Sequence, residues 1–263
     1  MSDLLVTTEN GVCTITFNRP QRKNALTVNM YKEAVAALQA ANVDPAVSVV
    51  LFTGSGDSFT SGNDVADFMS TPPTGEDSPV FQFLLELLDF PKIVAVAVNG
   101  VAVGIGVTML LHADVVYVAD SAKLKMPFVP LGLCPEGASS FLLPRMAGHA
   151  KASELLLFGE AFDAATAVDV GLAARVVPAA ELQAFTQQRL QVLARERPPG
   201  SLMTSKKLMR GPVAERVKTA LYVEAADFAK HLKSDEAQEA FTAFFEKRKP
   251  DFAQFQKQPP ART

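Results

Sequence analysis

The chain has 263 residues, 48% of them hydrophobic and 20% charged, with 25 basic side chains against 28 acidic ones and a net charge of −3. That balance excludes an intrinsically disordered chain, and at this length a core buries enough surface to stand without covalent or metal staples. No basic excess exists to hold nucleic acid or an anionic membrane surface, and 15 glycines and 17 prolines exclude collagen-like and low-complexity sequences.

Val12 to Phe17 alternates in polarity and stops at Asn18-Arg19-Pro20, which predicts a strand entering a loop. Helical spacing follows over Asn29–Ala41. Buried-strand runs stand at Val47–Thr53, Ile93–Val98 and Asp114–Ala119, and a helix is expected over Pro79–Asp89. Residues 70–79, with three prolines and a glycine, read as a loop. Strands alternating with helices give an α/β core. Beyond Leu143, helices are expected over Lys151–Phe158, Ala164–Val168 and Glu181–Arg195, and from about residue 200 only helical patterns remain. The expected organisation is a core over residues 1–200 and a helical segment over 201–263.

The tract Ile93–Leu111 approaches the length of a bilayer span. It is interrupted by Asn99-Gly100, Gly104 and Gly106, so a buried strand, a turn and a helix start are expected, not a membrane helix. Cys13 and Cys134 build no disulfide framework or zinc site, and the first residues show no secretory signal, so a cytoplasmic protein without metal is expected. Dinucleotide and Walker glycine patterns fail, as do the serine-elbow and zinc-helix motifs. His112, in an apolar run, reads as a core residue.

Two glycine-bearing turns follow buried strands, at Phe59–Asp64 and at Asn99–Gly106. Such turns either connect elements or present backbone N–H donors to a developing oxyanion. In the third segment, Leu131–Ala138, Glu136 stands among small and apolar residues. It reads either as a desolvated general base or as a glutamate favoured at a helix N-terminus.

In order and spacing these three segments resemble the crotonase (enoyl-CoA hydratase/isomerase) superfamily. Phe17-Asn18-Arg19-Pro20, Asn24-Ala25-Leu26, Ala167 with Gly171-Leu172, and the ending Ser234-Asp235-Glu236 through Phe244–Arg248 carry the same resemblance. It implies an α/β crotonase-like ββα spiral with C-terminal helices that support a homotrimer or hexamer. It implies an acyl-CoA thioester as partner, with coenzyme A as part of the substrate and no other cofactor, in fatty acid metabolism. Carried over by position, the oxyanion donors are the N–H groups of Asn63 and Ile105. Ser61, Gly62, Asp64, Val65 and Gly104 accompany them in the substrate site, and Arg22 and Lys23, with Arg19, lie in the CoA-facing loop. Lys247-Arg248-Lys249 is a second basic cluster able to reach the CoA. Cys134 is expected to line the pocket, Asp64 to fix its own turn, and residues 66–80 to bound the acyl tail.

Departures from the family pattern point to the reaction. Where its hydratases carry two glutamates, this chain has Thr108 and Phe128, so water addition lacks its acid/base pair. Glu136 stands where they carry glycine; Leu131–Ser140 is similar to the Δ3,Δ2-enoyl-CoA isomerases, and Ser61-Gly62-Asn63-Asp64 to their peroxisomal-type branch. The implied activity is transfer of one proton between C2 and C4 by Glu136. Hydration or dienoyl isomerisation, and a non-catalytic acyl-CoA-binding subunit, are the alternatives.

Overall fold

The structure, a computed structural model, describes residues 2–70 and 75–255. Its first turn is Asn10-Gly11, both at positive φ (52° and 82°), a two-residue geometry whose twist matches paired strands. The turn joins β1 (Leu4–Glu9) to β2 (Val12–Phe17), with Glu9 opposite Val12. A short 3-10 turn (Pro20–Arg22) then leads to α1 (Val28–Val43), whose first turn is capped by the Thr27 hydroxyl accepting from Met30 N.

Three strand–strand–helix units follow. The first is β3 (Val49–Gly54), β4 (Ser58–Thr60), α2 (Val65–Ser70) and α3 (Pro79–Asp89). The second is β5 (Ile93–Val98), β6 (Val101–Val103) and α4 (Ile105–Thr108), prolonged as a 3-10 turn to His112. The third is β7 (Val115–Ala119), β8 (Lys123–Lys125) and α5 (Ser139–Ala147). Next come α6 (His149–Ser153), β9 (Ala161–Asp163), α7 (Ala164–Asp169) and β10 (Arg175–Val177). The chain ends in α8 (Leu182–Glu196), α9 (Pro199–Arg210), α10 (Ala214–His231) and α11 (Asp235–Phe245).

The five long strands and the short β10 form a six-stranded sheet in the order β1-β2-β3-β5-β7-β10, parallel except for the β1–β2 hairpin. The other short strands form a second sheet, β4-β6-β8-β9, parallel except at β8–β9. Each unit therefore feeds one strand to each sheet, which is the expected ββα spiral. Every residue of β3 and β5 is buried, and their unbroken apolar runs are what a parallel sheet covered on both faces requires. Helix α8 packs across β2, β3, β5 and β7, while α1 lies on β1 and β2 and against α3. Phe17 meets Phe52 and Phe59 at ring separations of 6.0 and 5.4 Å, and Phe52 meets Phe83 edge-on at 5.9 Å. These rings weld the two sheets to α3.

The tract Ile93–Leu111 holds the expected buried strand, turn and helix start, with a second short strand, β6, between the turn and the helix. Other expectations are corrected. Of the helix expected over Lys151–Phe158 only Lys151–Ser153 is α-helical, as the end of α6; Glu154–Phe158 runs on as a π-helix. The loop expected over 70–79 begins after α2, and its residues 71–74 lie outside the described ones. Strands β1, β4, β6, β8, β9 and β10 stand where the sequence placed none.

The C-terminal helices are fastened to the core. Asp114 on the turn before β7 accepts from Lys206 of α9 at 2.8 Å and from Arg210 at 3.0 Å, while also receiving Val94 N. Helix α10 packs on α3 and α5, and α11 on the 3-10 turn Val129–Leu131. At Gly132 a Cβ would stand 2.7 Å from Ala237 N, so only glycine lets α11 come this close.

Candidate active site

Both glycine turns and the Glu136 segment open onto one cavity of about 170 Å³. Ser61, Gly62, Asn63 and Val65 line one side, Val103, Gly104 and Ile105 a second, and Glu136 and Gly137 a third. Apolar side chains close the rest: Phe81 and Leu84 from α3, Leu221 and Ala225 from α10, and Phe241 from α11. The cavity wall thus draws on both the core and the C-terminal helices. Of the expected acyl-tail boundary, Gly75, Ser78 and Val80 line the cavity.

Asn63 is fixed by a parallel bridge to Leu26, in which Leu26 N donates to Gly62 O and Asp64 N to Leu26 O, both at 2.8 Å. Because successive backbone groups alternate in direction, the Asn63 N–H is turned away from Leu26. Its side chain is held from α1, where the buried Tyr31 hydroxyl donates to Asn63 Oδ1. Across the cavity Ile105 opens α4 behind Gly104, whose own N–H is taken by Lys125 O at 2.8 Å. As the first helical residue, Ile105 has no intrahelical acceptor. Among the described residues, the N–H groups of Asn63 and Ile105 have no hydrogen-bond acceptor in the chain.

Glu136 is half-buried, and the part of its surface left open faces the apolar cavity. That environment pushes its carboxyl up to about 7, because desolvation disfavours the anion. A hydrogen bond from Thr108 opposes the rise and the charge of Glu224 adds to it. His112, 1% exposed, contacts Gly137 O through Nε2 at 2.8 Å. Burial presses its pKa down to about 4, so the ring is neutral at pH 7, as expected of a core histidine.

The remaining expected residues lie outside the cavity. Asp64 pairs with Arg19 at 3.0 Å and accepts from Asp67 N, so it fixes its own turn and occupies one of the loop's cations. Arg22 and Lys23 are exposed, and their carbonyls accept from the Ser61 hydroxyl and the Ser61 N–H, which ties the basic loop to the cavity rim. Arg248 is spent on Glu239 and Glu246. Cys134 is not among the lining residues, contrary to expectation; its thiol points to Glu224 O, and burial pushes its pKa up to about 11. Sequence reasoning missed Tyr31 and Glu224, which reach the site from helices distant in the chain. Only their position on amphipathic helices is written in the sequence.

The family model described as enoyl-CoA hydratase/isomerase matches residues 7–257. The chain belongs to this family. It is 39% identical to enoyl-CoA delta isomerase 2 of Rattus norvegicus over 92% of its own length, and spans 63% of that relative. It is 34% identical to 1,2-epoxyphenylacetyl-CoA isomerase of Escherichia coli, covering 96% of this chain and 98% of that one. A solved enoyl-CoA hydratase/isomerase from Pseudoalteromonas atlantica superposes with a TM-score of 0.90 at 41% identity, covering 95% of this chain and all of that one. The relatives' names include both isomerases and a hydratase/isomerase, so membership of the family leaves the reaction to be argued from the site. Among the described residues, no three His, Cys, Asp or Glu side chains are grouped to hold a metal, and no helix is long and apolar enough to cross a membrane.

Proposed function

We propose that this chain is a Δ3,Δ2-enoyl-CoA isomerase in which Glu136 is the sole acid/base. The observation that carries the reading is a lone carboxyl, raised to about 7, on the wall of an apolar cavity that two acceptor-free N–H groups also line. A base poised near the working pH transfers protons in both directions. The apolar wall suits an acyl chain, and the rim loop with Arg22 and Lys23 suits the phosphates of CoA. The names of the relatives, which act on CoA thioesters, support the same substrate class.

In the proposed reaction the thioester oxygen accepts from the N–H groups of Asn63 and Ile105. The Glu136 carboxylate removes a C2 proton from a 3-enoyl thioester, and the electron pair spreads over the oxygen, C2 and C4. The same carboxyl, now protonated, returns the proton to C4, leaving the double bond between C2 and C3. The oxidation state is unchanged, so the step calls for no electron acceptor. Thr108 and Phe128, where water-adding relatives carry acids, support isomerisation over hydration.

The test is a panel of 3-enoyl and 2-enoyl thioesters followed by absorbance, with Glu136→Gln as control. Isomerisation is expected to fall by ~10²–10⁴-fold in that variant while acyl-CoA binding persists. Unchanged turnover would overturn the reading, as would hydration by the wild type at a rate matching isomerisation.

A further inference from the structure

Glu224 lies on α10, 88 residues beyond Glu136 in the chain, yet its side chain ends against the turn that carries Glu136. It is 6% exposed. Oε2 accepts from Ala138 N at 2.6 Å, and Oε1 accepts from Ser140 N at 2.9 Å and from the Ser140 hydroxyl. Ala138 is the N-cap of α5 and has no side chain able to cap it. It also sits at φ 59°, a left-handed conformation uncommon for alanine, next to Gly137 at φ 69°. The turn is therefore held in an unfavourable backbone shape without a cap of its own.

Two buried side chains from other elements over-determine it. His112 binds the carbonyl of Gly137, and Glu224 binds the next two available N–H groups. His112, facing a carbonyl, offers Nε2–H and a neutral ring. Burial pushes the Glu224 carboxyl up from its ordinary value, while the three donors on Ala138 and Ser140 and the helix start favour its anion.

We propose that Glu224 is a positioning residue: it caps α5 from another helix and thereby fixes the turn that holds the Glu136 carboxyl in the cavity. This rests on the reading of Glu136 as the proton carrier. The charged or titratable groups around Glu136 are few. Tyr31 from α1 stays a neutral phenol, its pKa raised by burial and by Glu136 itself. Cys134 stays a neutral thiol and His112 a neutral ring. Asp227 and Arg210 act on Cys134 and His112, one step removed. Glu224 is the anion that acts directly on Glu136, raising its pKa.

The test compares wild type, Glu224→Gln and Glu224→Ala, reading kcat and KM against pH for a 3-enoyl thioester. Titration of the Glu136 carboxyl is read separately by carbon-13 NMR, assigned with Glu136→Gln. Glu224→Gln keeps the shape and one acceptor oxygen but loses the charge. We expect kcat to fall by ~10-fold with KM within about twofold, and the acid limb and the NMR titration to move together to lower pH. Glu224→Ala should lose more kcat, and its Ala138 and Ser140 amides should exchange faster with solvent. If Glu224→Gln folds and leaves both the NMR titration and kcat where they are in the wild type, the inference falls. A titration that moves in a protein without isomerase activity supports the inference and counts against the proposed reaction instead.

Discussion

The Thr108 hydroxyl donates to Oε1 of Glu136, so one carboxyl oxygen is occupied from within the protein. Oε2 receives no donor among the described residues, and Glu136 lines the cavity. A single oxygen is then available to collect and return a proton. The same hydrogen bond tempers the rise in pKa that burial imposes, since it favours the ionised form.

Replacing Thr108 by Val removes that donor while keeping the branched shape. The Glu136 pKa should climb further, by ~1 unit, given that hydrogen bonds to charged groups are worth about 1.5–3 kcal/mol. The acid limb of kcat/KM moves up, and kcat/KM at pH 7 falls by roughly fivefold as the ionised fraction drops. A pH–rate profile superimposable on the wild type's would show that the bond is not felt at the reacting carboxyl.

Glu136 also makes stability depend on pH. Its folded pKa of about 7 lies above the 4.5 of an ordinary glutamate, so the folded state holds a proton that the unfolded state releases. Its contribution is fully present below pH 4.5 and is lost as pH rises through 7. Above that the ionised carboxyl costs about 3 kcal/mol, from 1.36 kcal/mol per unit. Glu136→Gln should therefore raise Tm at pH 8 relative to wild type, and the gain should shrink towards pH 5. Melting curves without ligand at the two pH values check this.

Gly62 precedes Asn63 at φ 86°, and a Cβ there would stand 2.8 Å from the carbonyl of Val103. Gly62→Ala must push β4 and β6 apart or twist the turn, and either displaces the Asn63 N–H. Loss of one oxyanion donor costs about 3 kcal/mol, so kcat should drop by roughly 10²-fold. Kinetics on folded protein, verified by circular dichroism, are the measurement.

The ion pair of Asp114 and Lys206 is buried, with both side chains about 5% exposed. Asp114→Asn leaves the ammonium with weakened compensation, and breaking such a pair costs about 3–5 kcal/mol. For a chain of this size that is a Tm lower by on the order of 10 °C. A melting point within ~2 °C of wild type would show that α9 is held chiefly by its apolar contacts.

The sequence made the parallel core legible because strands buried on both faces carry continuous apolar runs, as in Val49–Gly54 and Ile93–Val98. Strand β1 went unread although Asn10-Gly11 is the hairpin signal, because five of its six residues are exposed and no clean alternation frames it. Strands β9 and β10 have three residues each, too few for any period to register. Within the site, glycines marked the three segments that hold Asn63, Ile105 and Glu136, and the resemblance to the family gave those residues their expected roles. Glu224 and Tyr31 carried no such mark, because what they do depends on a contact across 86 and 32 residues, which no local pattern encodes.

Leu221, Ala225 and Phe241 complete a cavity whose polar groups all lie before residue 138. During synthesis the chain therefore carries Glu136 through 105 further residues, from 136 to 241, before the chamber around it can close. A nascent or prematurely ended chain exposes that apolar hollow to water, a sticky surface that only the last two long helices retire.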